Sequence, residues 1–183
     1  MAVSLRRLSE ADLLNVMQWR MMPEVTKYMN TDPVLTIEGQ REWFKRIEND
    51  KDKAYWIISV NGEDAGVINL TELTDDSGVS GWAYYIGEKR LRGMKTALSL
   101  EMSMYDYALL TLSRKSIVSD VFSKNTGVIA LHKLCGCEII KETKNAVTKN
   151  GEQYDVTYME MTAERWQSTR EGKSYEHIAF PND

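Results

Sequence analysis

The first residues alternate, with Val3, Leu5 and Arg7 set against Ser4, Arg6 and Leu8, the two-residue period of a short strand. Ser9 with Asp12 three positions on reads as a helix start. Leu13, Leu14, Met17 and Trp19-Arg20 then keep helical spacing up to Pro23, which can stop one helix or open the next, so a short second helix is expected at 24–29. Thr36 caps an amphipathic helix from 37 to about 49, with Trp43, Phe44 and Ile47 on one stripe and Arg41, Lys45 and Glu48 off it. Residues 55–60 and 65–73 are β-rich and meet at Asn61-Gly62, a hairpin signal because both residues accept positive φ. A turn at 75–78 leads to a third strand, 79–86. The period becomes helical over 96–112 through Leu98, Met102, Tyr105 and Leu109. A strand at 116–122, a helix at 126–134, a strand at 137–142, a turn at 149–152 and a strand at 154–161 follow. The polar tail 164–183 reads as a peripheral helix with a loose end.

Hairpins interleaved with β-α-β crossovers imply one mixed sheet with a single central parallel junction, an α/β fold of about seven mostly antiparallel strands. A chain of 183 residues can bury one core without disulfide or metal, so a single domain over 1–183 is expected, its core at about 3–162 and its tail at 163–183 peripheral. Hydrophobic residues at 43% and charged residues at 27% match an ordinary globular protein. The net charge of -4 argues against nucleic acid, which is held by cationic surfaces. Met1 to Arg7 carry charge with no apolar segment behind it, and no run reaches the roughly 18 apolar residues of a membrane span, which places the chain in the cytoplasm with no membrane partner. Cys135 and Cys137 lie too close in sequence for a favourable disulfide, and with only His132 and His177 as further soft ligands no metal site is expected.

Two segments can carry chemistry. The strand ending at Ile86 runs into Gly87, Glu88, Lys89, Arg90, Leu91, Arg92, Gly93, Met94, Lys95 and a helix. A strand, a basic glycine-containing turn and a helix N-terminus together suit an anion such as pyrophosphate, while a solvated basic loop is the plainer reading. In the second segment, 119–136, Asn125 reads locally as a helix cap, and His132, one turn from the helix end, as a half-buried residue satisfied by a neighbour.

Together the two segments resemble the GNAT superfamily. Its R/Q-x-x-G-x-G/A turn corresponds to Arg90-Leu91-Arg92-Gly93-Met94-Lys95, and its later Asn-to-Gly pattern keeps Asn125, Leu131, Lys133 and Gly136 in register. The element order agrees from Val3 to about Thr162. Two positions depart from the pattern: Lys95 replaces a small residue, and His132 stands where a Tyr is usual. The resemblance implies an acetyl-CoA-dependent N-acetyltransferase in which an acceptor amine attacks the thioester directly, between splayed strands that flank the pantetheine arm. It implies that a backbone N–H at Tyr85 or Ile86 stabilises the oxyanion, and that His132 protonates the departing thiolate. It also implies that Arg90, Arg92, Gly93, Met94, Lys95, Thr96, Asn125 and Lys133 hold the cofactor.

The first half is similar to the amino-sugar-nucleotide N-acetyltransferases of the pseudaminic acid pathway at Trp19-Arg20, Pro23, Tyr28-Met29, Trp43-Phe44 and Ala65-Gly66-Val67-Ile68. That similarity implies the 4-amino group of a UDP-linked 4-amino-4,6-dideoxy sugar as acceptor, with Arg20 on phosphate or uracil and Tyr28, Met29 and Trp43 walling the 6-deoxy group. Glu72 is a conceivable substrate contact or base, alongside Glu88 and a relayed water. The alternatives are a ribosomal-protein or peptide N-terminus, a small amine such as an antibiotic, or a non-catalytic acyl-CoA-binding module. Monomer and homodimer both stay open.

Overall fold

The computed structural model describes residues 2–181; Met1, Asn182 and Asp183, at the two ends of the expected domain, lie outside the described residues. The elements are β1 (Val3–Arg7), α1 (Leu13–Met21), α2 (Pro23–Thr26), α3 (Ile37–Ile47), β2 (Ala54–Val60), β3 (Glu63–Thr71) and β4 (Val79–Ile86). They continue with α4 (Met94–Tyr105), β5 (Ser116–Phe122), α5 (Thr126–Cys135), β6 (Glu138–Lys149), β7 (Glu152–Thr162) and α6 (Ala163–Thr169). The seven strands form one sheet in the order β1-β2-β3-β4-β5-β7-β6. Every neighbouring pair is antiparallel except β4 and β5.

Side chains alternate across the sheet, so Trp56 and Ile58 of β2 join the main core while Ile57 faces the other way. On the main face, Leu100, Met104 and Tyr105 of α4, none of them exposed, pack with Ile68, Leu70 and Trp82. On the opposite face, Val16 and Trp19 of α1 cover Ile57 and Val67. Ser9 starts the turn before α1, its N–H and hydroxyl both donating to Asp12 Oδ2 at 2.8 and 2.9 Å. At the end of β4, a Cβ on Gly87 would lie 2.2 Å from the Trp19 ring, so only glycine lets α1 seat there. Trp19 Nε1 then donates to Glu88 Oε1 at 3.0 Å.

Three expectations are corrected. The helix expected over 96–112 starts at Met94 and changes at Asp106–Thr111 to a π-helix, whose wider turn shifts the face that later residues present. The strand at 137–142 runs on to Lys149, because register shifts between Ile139 and Lys141 and between Thr143 and Val147 break the two-residue pattern. The tail is not peripheral: Trp166 is fully buried, and Ile178 and Phe180 join the core. Trp56 Nε1 donates to the Pro181 carbonyl at 2.8 Å, and the Ile178 N–H to Ser103 Oγ at 2.9 Å. These apolar residues stand too far apart in a polar stretch to make a period, yet each fills a slot in the core. Among the described residues no helix is long and apolar enough to cross a membrane, and no group of three His, Cys, Asp or Glu could hold a metal.

Candidate active site

β4 and β5 pair only through Val79, Ser80 and Gly81 with Ser116, Ile117 and Val118. From Trp82 onward β4 stays paired to β3 through Ile86, while β5 stays paired to β7 through Phe122. The two halves of the sheet therefore diverge and leave a gap. The Gly87 N–H bonds the Ala65 carbonyl on the β3 side. By alternation, Ile86 and Tyr84 turn their N–H and C=O groups toward the gap, and Tyr85 turns its own toward β3. Of the two backbone donors expected at Tyr85 or Ile86, only Ile86 points the right way, with Tyr84 beside it.

The gap opens into a cavity of about 730 Å³ on the α1 side of the sheet. Arg20, Tyr28, Met29 and Trp43 line it, as do Tyr85, Ile86, Arg92, Asn125 and His132. Thus substrate-side and cofactor-side candidates, distant in sequence, share one space. Trp43 meets Tyr55 edge-on at 5.4 Å, which fixes the α3 wall. The loop after α2, carrying Tyr28 and Met29, is pinned from outside by Lys149 and Asn150 at the β6–β7 turn, both of which bond Asp32.

Glu72 is removed from the candidate set, because it lies outside the cavity lining. Its Oε2 instead accepts from the Gly81 N–H at 2.7 Å and from Thr71 Oγ1 at 2.6 Å, tying the β3–β4 connection together. Glu72 itself sits at φ 54, so its carboxylate stabilises its own strained turn.

In the basic turn the three expected cations part company. Arg92 lines the cavity and donates from Nε to the Ile86 carbonyl at 2.9 Å and from Nη2 to the Gly87 carbonyl at 3.4 Å. Arg90 is drawn to Glu63 on β3, and Lys95 to Glu176 of the tail at 3.5 Å. Such exposed pairs are worth about 1 kcal/mol or less, so an incoming polyanion can displace either carboxylate. Gly93 begins α4 in an extended conformation and has no side chain to cap it; Met94 is exposed and Thr96 buried. A thioester ligand with an amide-bearing arm and a diphosphate fits these residues: the unpaired β4 edge can bond the amides, and the start of α4 the phosphates.

Asn125 starts α5 without a side-chain capping bond, which leaves its amide to the cavity rather than to the helix. Lys133 is exposed and outside the cavity lining. His132 is 3% exposed, its ring 5.4 Å from that of Trp82. Its Nδ1 lies 2.8 Å from Glu101 Oε1 of α4, and Nε2 makes no hydrogen bond among the described residues. Burial, then the nearby Glu101 and Cys135, hold the ionisation of Tyr84 well above that of an ordinary tyrosine, so it keeps its proton in the cavity wall.

Sequence reasoning missed Glu101, Lys149 and Tyr84. A signal existed for Glu101, which lies three residues after Leu98 and four before Tyr105, a carboxylate on the buried stripe of its helix. Nothing local marks Lys149.

The sequence model of the acetyltransferase (GNAT) domain matches residues 3–138. The chain belongs to the GNAT acetyltransferase family. It is an N-acetyltransferase, and acetyl-CoA is the donor that GNAT enzymes use. Among solved structures, this GNAT chain is similar to the spermidine N-acetyltransferase of Vibrio cholerae in complex with CoA and spermine, at 18% identity over 90% of this chain and 98% of that one, TM-score 0.84. A chimera of that enzyme and hSSAT matches at 18% identity over 91% and 99% of the two chains, TM-score 0.83. At this identity the likeness establishes the GNAT fold. No curated protein matches the chain. The similarity to pseudaminic acid pathway enzymes gains no support from these structures, which are spermidine acetyltransferases.

Proposed function

We propose that this GNAT domain acetylates the primary amine of a small molecule that occupies the cavity between α1, α3 and the loop after α2. The observation that carries the reading is the joining of this cavity to the β4–β5 gap, so that an amine and a thioester can meet in line beside Ile86 and His132. The amine nitrogen attacks the thioester carbonyl, and the N–H groups of Ile86 and Tyr84 bond the developing oxyanion. His132 passes the proton on Nε2 to the departing sulfur, and water relays the amine proton outward. Glu24 and Asp120 at the cavity wall favour an ammonium group on its way in.

A small amine is preferred to a nucleotide sugar because the solved relatives named above are polyamine acetyltransferases, one of them with spermine bound. A nucleotide sugar or other anionic amine remains the second reading on one observation. Arg20 lines the cavity with no carboxylate within 4 Å among the described residues, its recorded partner being the Met29 thioether at 2.7 Å. Thiol release from acetyl-CoA with spermidine, spermine, an aminoglycoside, an N-terminal peptide and a UDP-4-amino-4,6-dideoxy sugar decides between them. Turnover confined to the amines without phosphate supports the first reading, and turnover confined to the UDP sugar replaces it with the second. Peptide turnover alone, or thermal stabilisation by acetyl-CoA with no thiol release on any acceptor, overturns both.

A further inference from the structure

Glu101 is completely buried on α4, and no lysine or arginine pairs with it among the described residues. A carboxylate in such a place is costly unless something charged or strongly donating faces it. Two groups meet its Oε1: the Tyr105 hydroxyl, which donates to it, and Nδ1 of His132 at 2.8 Å. Its Oε2 finds no hydrogen-bond partner. The Cys135 thiol, whose ionisation is driven up by burial and then by this carboxylate, sits beside it. Tyr105 also contacts Cys137 Sγ at 2.9 Å, and burial pushes the Cys137 thiol up to about 12. Tyr84 keeps its own proton, held by burial and then by the nearby Glu101. The thiols and phenols around the pair thus keep their protons, and among the described residues the one basic side chain that pairs with Glu101 is His132.

We infer that Glu101 is the positioning residue of His132, holding a proton on Nδ1 so that Nε2 is the atom that exchanges protons with the cavity. The inference rests on the proposed role of His132 and deepens it. In the transfer step the amine N–C bond forms, the C–S bond breaks with its electron pair going to sulfur, and the Nε2 proton moves to that sulfur. The imidazole is left neutral, its proton still on Nδ1 and hydrogen-bonded to Glu101. The proton lost by the acylated nitrogen passes to water and restores Nε2–H. The transfer step starts from the doubly protonated ring, whose Nδ1–H faces Glu101 Oε1.

The tests use the full chain, with Glu101→Gln, Glu101→Leu, His132→Ala and, for assignment, His177→Gln. Nitrogen-15 spectra of the histidines read the tautomer without reference to turnover. Wild type is expected to show His132 protonated at Nδ1, and Glu101→Leu, which removes the acceptor, to move the proton toward Nε2. Single-turnover transfer to spermidine is expected to fall at least about tenfold in Glu101→Gln with KM for acetyl-CoA unchanged. Glu101→Gln should cost nothing further in the His132→Ala background. A wild-type His132 protonated only at Nε2, or an unaltered tautomer in Glu101→Leu, overturns the inference. So does a folded Glu101→Gln with the wild-type single-turnover rate. If His132→Ala keeps full activity, or spermidine is not turned over, the catalytic reading fails, and the spectra alone decide the pairing. If Glu101→Gln fails to fold, Glu101→Leu decides the pairing by the same spectra, since a neutral His132 beside the leucine leaves no uncompensated charge.

Discussion

Lys149 reaches from the end of β6 to the carbonyl of Thr26, which its buried ammonium meets at 2.7 Å across 123 residues of sequence. The same group pairs with Asp32 at 2.8 Å, and Asn150 donates to the other Asp32 oxygen at 2.6 Å. The loop that carries Tyr28 and Met29 into the cavity is therefore held at both ends of its run by a hairpin that never touches the cavity itself.

Replacing Lys149 by Met should raise the KM for the acceptor several-fold and leave the KM for acetyl-CoA near wild type, because the wall that loosens faces the acceptor. Steady-state kinetics with each substrate varied in turn checks this. Acid should mimic the change. The Lys149 hydrogen bond, first among several, lowers Asp32 to about 2, so its contribution is complete above the ordinary aspartate range near 4. It fades as pH falls from there through about 2, and a loop-specific probe such as Tyr28 hydrogen exchange should report it before global unfolding.

Glu72→Ala should leave turnover and both KM values unchanged, since the side chain bonds Gly81 and Thr71 rather than facing the cavity. The cost should be to stability, about 1 kcal/mol for the lost charged acceptor. Chemical denaturation together with initial rates separates the two effects, and a loss of rate without loss of stability would restore Glu72 to the site.

Arg92 and Arg90 should differ although they are neighbours in the same turn. Arg92→Ala removes both the cavity cation and the bonds to the Ile86 and Gly87 carbonyls, and should raise the KM for acetyl-CoA about tenfold, ~1.4 kcal/mol. Arg90→Ala frees Glu63 and should change it by less than about threefold. Equal effects in the two variants would mean that Arg90 leaves Glu63 and joins the phosphates.

Trp166→Ala should destabilise the protein by about 3–5 kcal/mol, a loss of the size seen when a buried tryptophan leaves a cavity. Trp166 is unexposed and donates to Asp106 Oδ1 at 3.0 Å, and Asp106 also accepts from Tyr175 and pairs with Arg170 at 3.1 Å. Removing it takes one donor from this carboxylate, which keeps Tyr175 and Arg170, and leaves a void. Thermal unfolding of this variant beside Lys133→Ala, which alters only an exposed side chain, gives the measure.

Some elements were legible because their information is local. The strands at 79–86 and 116–122 have those bounds in the fold, since each is a β-rich run between turn signals. Asn61 and Gly62 take φ 52 and 83, the two positive angles that this dipeptide favours in a hairpin. The Arg-to-Lys turn and the Asn-to-Gly pattern pointed to a family because a phosphate turn and a helix start are built from consecutive residues. The Glu101–His132 pair was not legible: the two lie 31 residues apart on α4 and α5, and only their packing brings the atoms to 2.8 Å. Nor was the assignment of Arg90 to Glu63, which needs β3 beside the turn.

The sequence by itself determined the order and kind of elements, the parallel junction and the acetyltransferase family, because these follow from periodicity, turn chemistry and contiguous motifs. The tertiary structure alone decided where β4 leaves β5, which backbone N–H groups face the gap, which cations line the cavity, and how the tail closes the core. Each of those depends on register and on contacts between distant segments, where a shift of one residue turns a group to the other side.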